Sequence, residues 1–508
     1  MPPGRVLMVQ GTASSVGKSL LVAGLCRLLL QEGYRVVPFK AQNMSNNAAV
    51  VPGGGEIGRA QALQAMAARV LPRVEMNPVL LKPEGNRRSQ VVVLGTAHGT
   101  MSAPDYHVAK QDLWPIVAEA LDTLRAEFDV VVAEGAGSPA EINLKDRDIA
   151  NMRVARYASA PVLIVGDIDR GGVFAHLFGT FYLLEPEERA LVRGFVINKL
   201  RGDPSLLAPG PQQIESLTGV PVVGVVPWLG DLGLPEEDSA VLDRRSDGGG
   251  PYAGVDVAIV RLPRIANFDD FDPLEREAHV RVRYVESPAR LGTPDLVILP
   301  GTKATRDDLA WLQAKGWPAA LQRARDDGAF IVGICGGFQM LGAEIEDPLG
   351  VEGASGRSHG LRWLDVSTRF QPRKVTRVSA AHVTASAGVL EGCDRLELEG
   401  YEIHAGISAV SGEQVAIRLA DGEPVGALSP DGRVLGCYLH GLFGNHALRQ
   451  RLLTNIARSR GKQYSPTPPP DTDAAIDRLA AVLRASIDLQ AILRLIEQAG
   501  GTSACRGS

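Results

Sequence analysis

Cysteine is scarce in this sequence and nothing in its spacing pairs it. Cys26, Cys335, Cys393, Cys437 and Cys505 lie far apart, without the short intervals that hold a zinc ion. An odd number of scattered thiols excludes a disulfide framework and points to a reducing compartment. Charge of one sign is also lacking: 53 Lys and Arg against 58 Asp and Glu leave a net charge of −5. That balance gives no electrostatic ground for nucleic acid or an anionic membrane as partner. No apolar stretch approaches the ~20 residues that a membrane span needs. The short apolar run at residues 6–9 feeds straight into a Gly-rich loop, which makes it a core strand and not a signal peptide. These absences predict a cytoplasmic protein. With 45% hydrophobic and 22% charged residues the composition is globular, and 508 residues are too many for one core, so two or three domains are expected.

What the chain does have begins at once. Residues 11–19 read GTASSVGKS, between the apolar run and a helical pattern at residues 20–30. Strand, Gly-rich loop and helix in that order form a phosphate-binding loop, in which backbone N–H groups and a helix N-terminus surround phosphate oxygens. Gly11, Thr12 and Gly17 would shape the loop, Lys18 would reach the β- and γ-phosphates, and the Ser19 hydroxyl would hold Mg²⁺. Five residues separate Gly11 from Gly17, one more than in the common pattern. An ATP-binding first half follows.

Continuous apolar runs at residues 6–9, 35–39, 130–133, 162–165 and 194–197 alternate with helical patterns such as residues 113–128. Strands buried on both faces imply a parallel sheet flanked by helices, with ligands beyond the carboxyl ends of the strands. The residues at those ends are polar. KAQNMSNN carries Gln42, Asn43, Asn46 and Asn47, a candidate substrate surface; Glu134 is placed to serve Mg²⁺; Asp169 and Arg170 follow in GDIDRGG; Asn198 is suited to an adenine edge. Residues 244–254, RRSDGGGPYAG, read as a linker. Apolar runs at residues 255–260, 280–285, 296–299 and 330–334 then restart the αβ alternation. The expected organisation is α/β throughout: an ATP-binding domain at 1–245, a second doubly wound domain at 251–448, and a short helical tail at 449–508 within which PTPPPDTD marks a further break. Residues 474–498 read as one or two amphipathic helices, an appendage or a cover for part of the second domain.

In the second domain, FIVGICGGFQMLG runs from an apolar strand into Cys335, two glycines and a helical pattern. A nucleophile on such a sharp strand-to-helix turn is held exposed, and the helix start favours its thiolate form. The N–H of Gly336, with a second donor at Gly301 in LPGTKAT, would make an oxyanion hole. The base is His440, in VLGCYLHGLFG, with His404, in YEIHAG, as its rival.

The second domain resembles the class I glutamine amidotransferases through GICGGFQMLG and His440, and the first is similar to the dethiobiotin synthetase branch of phosphate-loop proteins. PFKAQNMSNN, GGEIGRAQALQA, NPVLLKP, EGAGSPAEINL, VGDIDRGGVFA, GFVINKLRGD, RIANFDDFDPL, YEIHAG and YLHGLF together resemble the cobyric acid synthase family across residues 38–443. The resemblance implies ATP- and glutamine-dependent amidation of the b, d, e and g carboxylates of a corrinoid, adenosylcobyrinic acid a,c-diamide, with Mg²⁺ as cofactor. It puts the nucleophile at Cys335 and the histidine at His440. A homo-oligomer is compatible with it. Many class I relatives carry a glutamate two residues after the histidine; here Gly441 and Leu442 follow, and no orienting residue for His440 is legible. Two other classes fit parts of the pattern: the earlier-acting cobyrinic acid a,c-diamide synthase, against which QNMSNN argues, and a non-enzymatic phosphate-loop switch, against which the intact thiol turn argues.

Overall fold

The structure is a computed structural model that describes residues 3–85, 88–230, 232–234, 252–469 and 471–499. Most of the stretch read as a linker, up to residue 251, lies outside the described residues, as does Cys505.

The first half is built on a six-stranded parallel sheet. From one edge its strands are Val222–Pro227, Val192–Leu200, Val162–Asp167, Arg5–Gly11, Val130–Glu134 and Val36–Phe39. The loop-bearing strand is central, with Val9 in register with Leu163 on one side and Glu134 on the other. Every residue of Val130–Glu134 and Val162–Asp167 is buried, as continuous apolar strands between two helical layers must be. The carboxyl ends of these strands bring Gly11, Lys40, Glu134, Asp167 and Asn198 to one rim.

Between the strands Val36–Phe39 and Val130–Glu134 lies a subdomain that periodicity did not reveal. A four-stranded sheet, Gln42–Met44, Val79–Gly85, Arg88–Val93 and Thr96–Ser102, leads into the helix Ala103–Glu127. That helix starts earlier than the apolar period predicts, because the Ser102 hydroxyl accepts the Asp105 N–H and caps it.

The second half holds an eleven-stranded sheet among the described residues. Its parallel part runs Val280–Val285, Val255–Val260, Leu296–Leu299, Phe330–Ile334 and Val434–Cys437. Beyond Val434–Cys437 the sheet turns antiparallel and reaches two long paired strands, Val366–Val383 and Glu397–Val410, of which the first also pairs in parallel with Glu344–Asp347 and leads to the edge strand Gly356–His359. These long strands alternate buried and exposed residues, the pattern of a sheet with one solvated face, and reach over to the first half.

The tail expected at 449–508 is divided: the helix His446–Arg460 belongs to the core of the second domain, and the segment 474–498 does not cover that domain. Thr472–Ser486 and Leu489–Gln498 return to the first half and pack on the loop helix Lys18–Gln31, sharing a core with Val22, Leu25 and Leu29. Arg27 of the loop helix, 1% exposed, pairs with Asp473 at 2.5 Å and Asp477 at 2.7 Å. No helix among the described residues is long and apolar enough to cross a membrane.

Candidate active site

Each half carries one centre. In the first, the chain turns at Gly17 with φ +95, which side chains rarely adopt, and a Cβ there would lie 2.3 Å from Asn198 Nδ2. Glycine is therefore required twice over. Lys18 Nζ donates to the carbonyls of Ala13 at 2.9 Å and Gly137 at 3.2 Å, and curls back over the loop. Ser19 Oγ donates to Glu134 Oε1 at 2.8 Å. The same carboxylate takes Lys40 Nζ at 2.7 Å and Gln64 Nε2 at 2.6 Å. Burial alone would push the Glu134 carboxyl up, but Lys40, the Gln64 amide and Lys18 outweigh it and hold the group below the ordinary carboxylate range. Glu134 is thus a 1% exposed anion surrounded by donors at the rim of the loop. A hydroxyl and a carboxylate oxygen are hard ligands and suit Mg²⁺, which takes one or two protein oxygens and completes its shell with phosphate and water.

Asn198, expected to meet an adenine edge, is held against the phosphate loop. Its Nδ2 donates to the Val16 carbonyl at 2.8 Å and its Oδ1 accepts the Lys199 N–H at 2.9 Å, so the residue is a strut under the phosphate loop. Lys199 adds to the support through Ser15 O at 2.6 Å and Asp167 at 2.8 Å. Asp169 meets Arg201 at 2.6 Å on the surface, and Arg170 lies 3.8 Å from Asp167. The amide-rich stretch is mostly not an open surface. Asn43, 4% exposed, donates to Gln61 at 2.9 Å. Asn47, fully buried, accepts the Phe268 N–H at 3.1 Å, while Asn267 in return accepts the Ala48 N–H at 3.2 Å. Asn43 and Asn47 are therefore corrected from substrate contacts to packing and interdomain pins. Gln42 accepts from the Tyr106 hydroxyl at 2.7 Å, and Asn46 keeps a buried oxygen without a hydrogen-bond partner.

In the second centre, Cys335 sits between the strand Phe330–Ile334 and the helix Gly336–Leu341 with φ +51 and ψ −106, the strained turn that presents a nucleophile. The other described cysteines are different: Cys26, Cys393 and Cys437 are wholly buried, and burial pushes all three thiols up. Gly301 stands opposite the thiol. A Cβ at that position would come within 3.1 Å of His440 Cε1 and 3.9 Å of Cys335 Cβ, so a side chain there would fill the space between them.

His440 follows the strand Val434–Cys437 and is clamped by exchanging backbone bonds with Tyr401, whose ring stacks on the imidazole at 5.2 Å. Its Nδ1 meets Asp270 Oδ2 at 2.7 Å, and Asp270 Oδ1 accepts the Gly441 N–H at 2.8 Å. The orienting acid that no residue beside His440 supplies comes from a loop far away in sequence. Burial would favour neutral imidazole, but Asp270 prevails and pushes His440 up to about 10. The pair therefore stabilises the fold in full below the ordinary histidine value, near 6.5, and its contribution fades as pH rises through about 10. His404 cannot act as a base in this arrangement. Its Nδ1 faces Gly406 O at 2.7 Å and its Nε2 faces Glu402 Oε1 at 3.2 Å, so both nitrogens are turned to acceptors.

The centres are joined. The helix Arg59–Ala67 carries Gln64, bonded to Ser19 O at 3.2 Å and to Glu134, while Arg59 at its start pairs with Asp269 at 2.9 Å, next to Asp270. The cavity at Cys335 is walled by Gly301, Lys303, Glu352 and His440 of the second half and by Lys82 and Gln90 of the first. Sequence reading missed Asp270, Lys40 and Gln64 as site residues. GRAQALQA and NFDDFD held the last of these and Asp270, but only the fold brings them to the centres.

A phosphate-loop half and a thiol–histidine–carboxylate half sharing one cavity define a nucleotide-binding amidotransferase. Residues 7–241 match the family model described as the CobQ/CobB/MinD/ParA nucleotide binding domain, and residues 256–448 match the CobB/CobQ-like glutamine amidotransferase domain. Similar proteins include a cobyric acid synthase of Sorangium cellulosum, 52% identical over 96% of this chain and 98% of that one. Another, of Chloroflexus aurantiacus, is 50% identical over 97% and 99%, and one of Yersinia enterocolitica is 48% identical over 97% and 98%. The chain belongs to the cobyric acid synthase family.

Proposed function

We propose that the protein is an ATP-dependent, glutamine-hydrolysing amidoligase that converts the b, d, e and g side-chain carboxylates of adenosylcobyrinic acid a,c-diamide to amides. One observation supports this reading above others: the cavity at Cys335 is walled by residues of both halves, so nitrogen released at the thiol opens towards the half that carries the phosphate loop.

A carboxylate is a poor electrophile, and transfer of the ATP γ-phosphoryl to its oxygen makes an acyl phosphate with ADP as the leaving group. Lys18 faces the developing charge. Ser19 and Glu134 would hold Mg²⁺, which supplies further charge neutralisation when bound. In the other centre Cys335 Sγ attacks the glutamine amide carbon, and the N–H groups of Gly301 and Gly336 receive the oxyanion. His440, kept protonated by Asp270, delivers a proton to the leaving nitrogen, so ammonia departs and a thioester remains. Water then releases glutamate from the thioester. Ammonia attacks the acyl carbon, inorganic phosphate leaves, and the amide is formed. Gln42 and Asn46 near the rim, with Asp169 and Arg170, are the residues offered to the corrinoid.

The role of Asp270 gives the test. Asp270→Asn keeps the shape but removes the charge that holds the imidazolium. Glutamine-dependent amidation should fall by ~10²–10⁴-fold, as when a triad carboxylate is neutralised, while amidation driven by ammonium salts persists. His404→Ala should cost less glutaminase activity than Asp270→Asn. Equal loss with both nitrogen sources, or the reverse order of severity, would contradict the assignment.

A further inference from the structure

Two opposite charges line the Cys335 cavity without forming an ion pair with each other, although each opposes the shift that burial imposes on the other. Lys303, 9% exposed, follows Gly301 and is fixed by its own N–H to Arg264 O at 3.0 Å. Its ammonium forms a loose ion pair with Glu84, at 3.6 Å, longer than a hydrogen bond. Burial, with Lys374 nearby, pulls its ammonium below the lysine range. Glu352, also in the lining, lies on a loop pinned by the Val351 and Glu352 N–H groups to Asp347, at 2.8 Å and 3.0 Å. Its carboxylate accepts the Thr305 N–H at 3.0 Å, and burial pushes it up although Lys303 opposes this. Lys303 and Glu352 form no ion pair with each other among the described residues. Lys374 and Lys82, the other ammonium groups of the lining, are both committed to Glu56, at 2.5 Å and 2.6 Å.

Leaving two buried charges of opposite sign apart is costly unless a ligand completes both. When the side-chain amide of glutamine reaches Cys335, its α-carbon is only a short aliphatic chain away and must lie in the same cavity. That carbon bears a carboxylate and an ammonium. Resting on the reading of Cys335 as the glutaminase nucleophile, we infer that Lys303 and Glu352 are the receptor for the α-amino-acid end of the nitrogen donor, Lys303 taking the carboxylate and Glu352 the ammonium. The pair restricts hydrolysis to free glutamine. Amides that lack either charge leave one member buried and unpaired, and are rejected.

The test measures hydrolysis of glutamine, of glutaramate, which lacks the α-amino group, and of glutaminamide, which lacks the α-carboxylate, by the full chain. Wild-type protein should prefer glutamine to each analogue by on the order of 10²-fold in kcat/KM. Lys303→Met should lose glutamine kcat/KM mainly through KM and lose its discrimination against glutaminamide, yet still reject glutaramate. Glu352→Gln should show the converse. Lys303→Arg should recover preference for the carboxylate, which a purely structural role would not require. Uniform loss on all three amides, with ammonia-driven amidation intact, would overturn the inference, as would unchanged discrimination in folded variants. If the wild type hydrolysed no glutamine at all, the failure would lie with the glutaminase reading itself.

Discussion

Cys335→Ser protein should lose glutamine-dependent amidation by on the order of 10⁴-fold, and should still amidate when supplied with concentrated ammonium. Serine is smaller than cysteine and fits the same turn, so the strained φ of +51 and the packing around Gly301 survive the exchange. What disappears is the thiolate, and a hydroxyl in its place is a far weaker nucleophile beside an imidazole kept protonated by Asp270. The remaining ammonia-driven activity is the informative part. It reports that acyl-phosphate formation takes place elsewhere, at the rim formed by Lys18, Ser19 and Glu134. Parallel assays with glutamine and with ammonium chloride, on protein whose thermal unfolding matches the wild type, read both quantities.

Lys18→Ala should fail with either nitrogen source, by at least ~10³-fold. The ammonium of Lys18 bonds to Ala13 and Gly137 carbonyls, and alanine removes both contacts as well as the charge. Loss of the loop charge stops activation of the carboxylate, so ammonia has nothing to attack. Hydrolysis of glutamine by the separate thiol centre should survive in this variant. Substantial ammonia-dependent product from Lys18→Ala would contradict the assignment of the loop.

These two variants divide the protein along a line already visible in the sequence. The phosphate loop and the thiol turn were legible because each is local: a strand end, a few glycines and the reactive residue lie within a dozen positions. The parallel strands were legible because burial on both faces makes them continuously apolar. The sheets within residues 42–102 were not, since short strands such as Gln42–Met44, in the four-stranded sheet, and Glu56–Gly58, in a separate two-stranded one, carry no period long enough to read. Nor was the antiparallel extension of the second half, where charged residues such as Arg373 and Lys374 interrupt the strand pattern. Asp270 escaped notice because it is joined to His440 only by the fold, across |i−j| of 170. The amides of residues 42–47 misled in the other direction. A polar cluster at a strand end resembles a ligand surface, but Asn47 spends its oxygen on the Phe268 N–H across the domain boundary. The tail was recognised as helical from its period, yet its partner could not be, because the apolar face of a helix does not name the surface that covers it.

The measurement that bears most directly on the whole account is mass spectrometry of a corrinoid a,c-diamide incubated with the protein, ATP, Mg²⁺ and glutamine labelled with nitrogen-15 in its side-chain amide. With a single phosphate loop at residues 11–19, the carboxylates must be presented in turn. Partly amidated intermediates should appear early and converge on a product carrying a labelled amide at each of the b, d, e and g positions. One ATP and one glutamine should be consumed for each amide formed. A diamide returned unchanged, together with an unamidated precursor carried only as far as its a and c amides, would contradict the account.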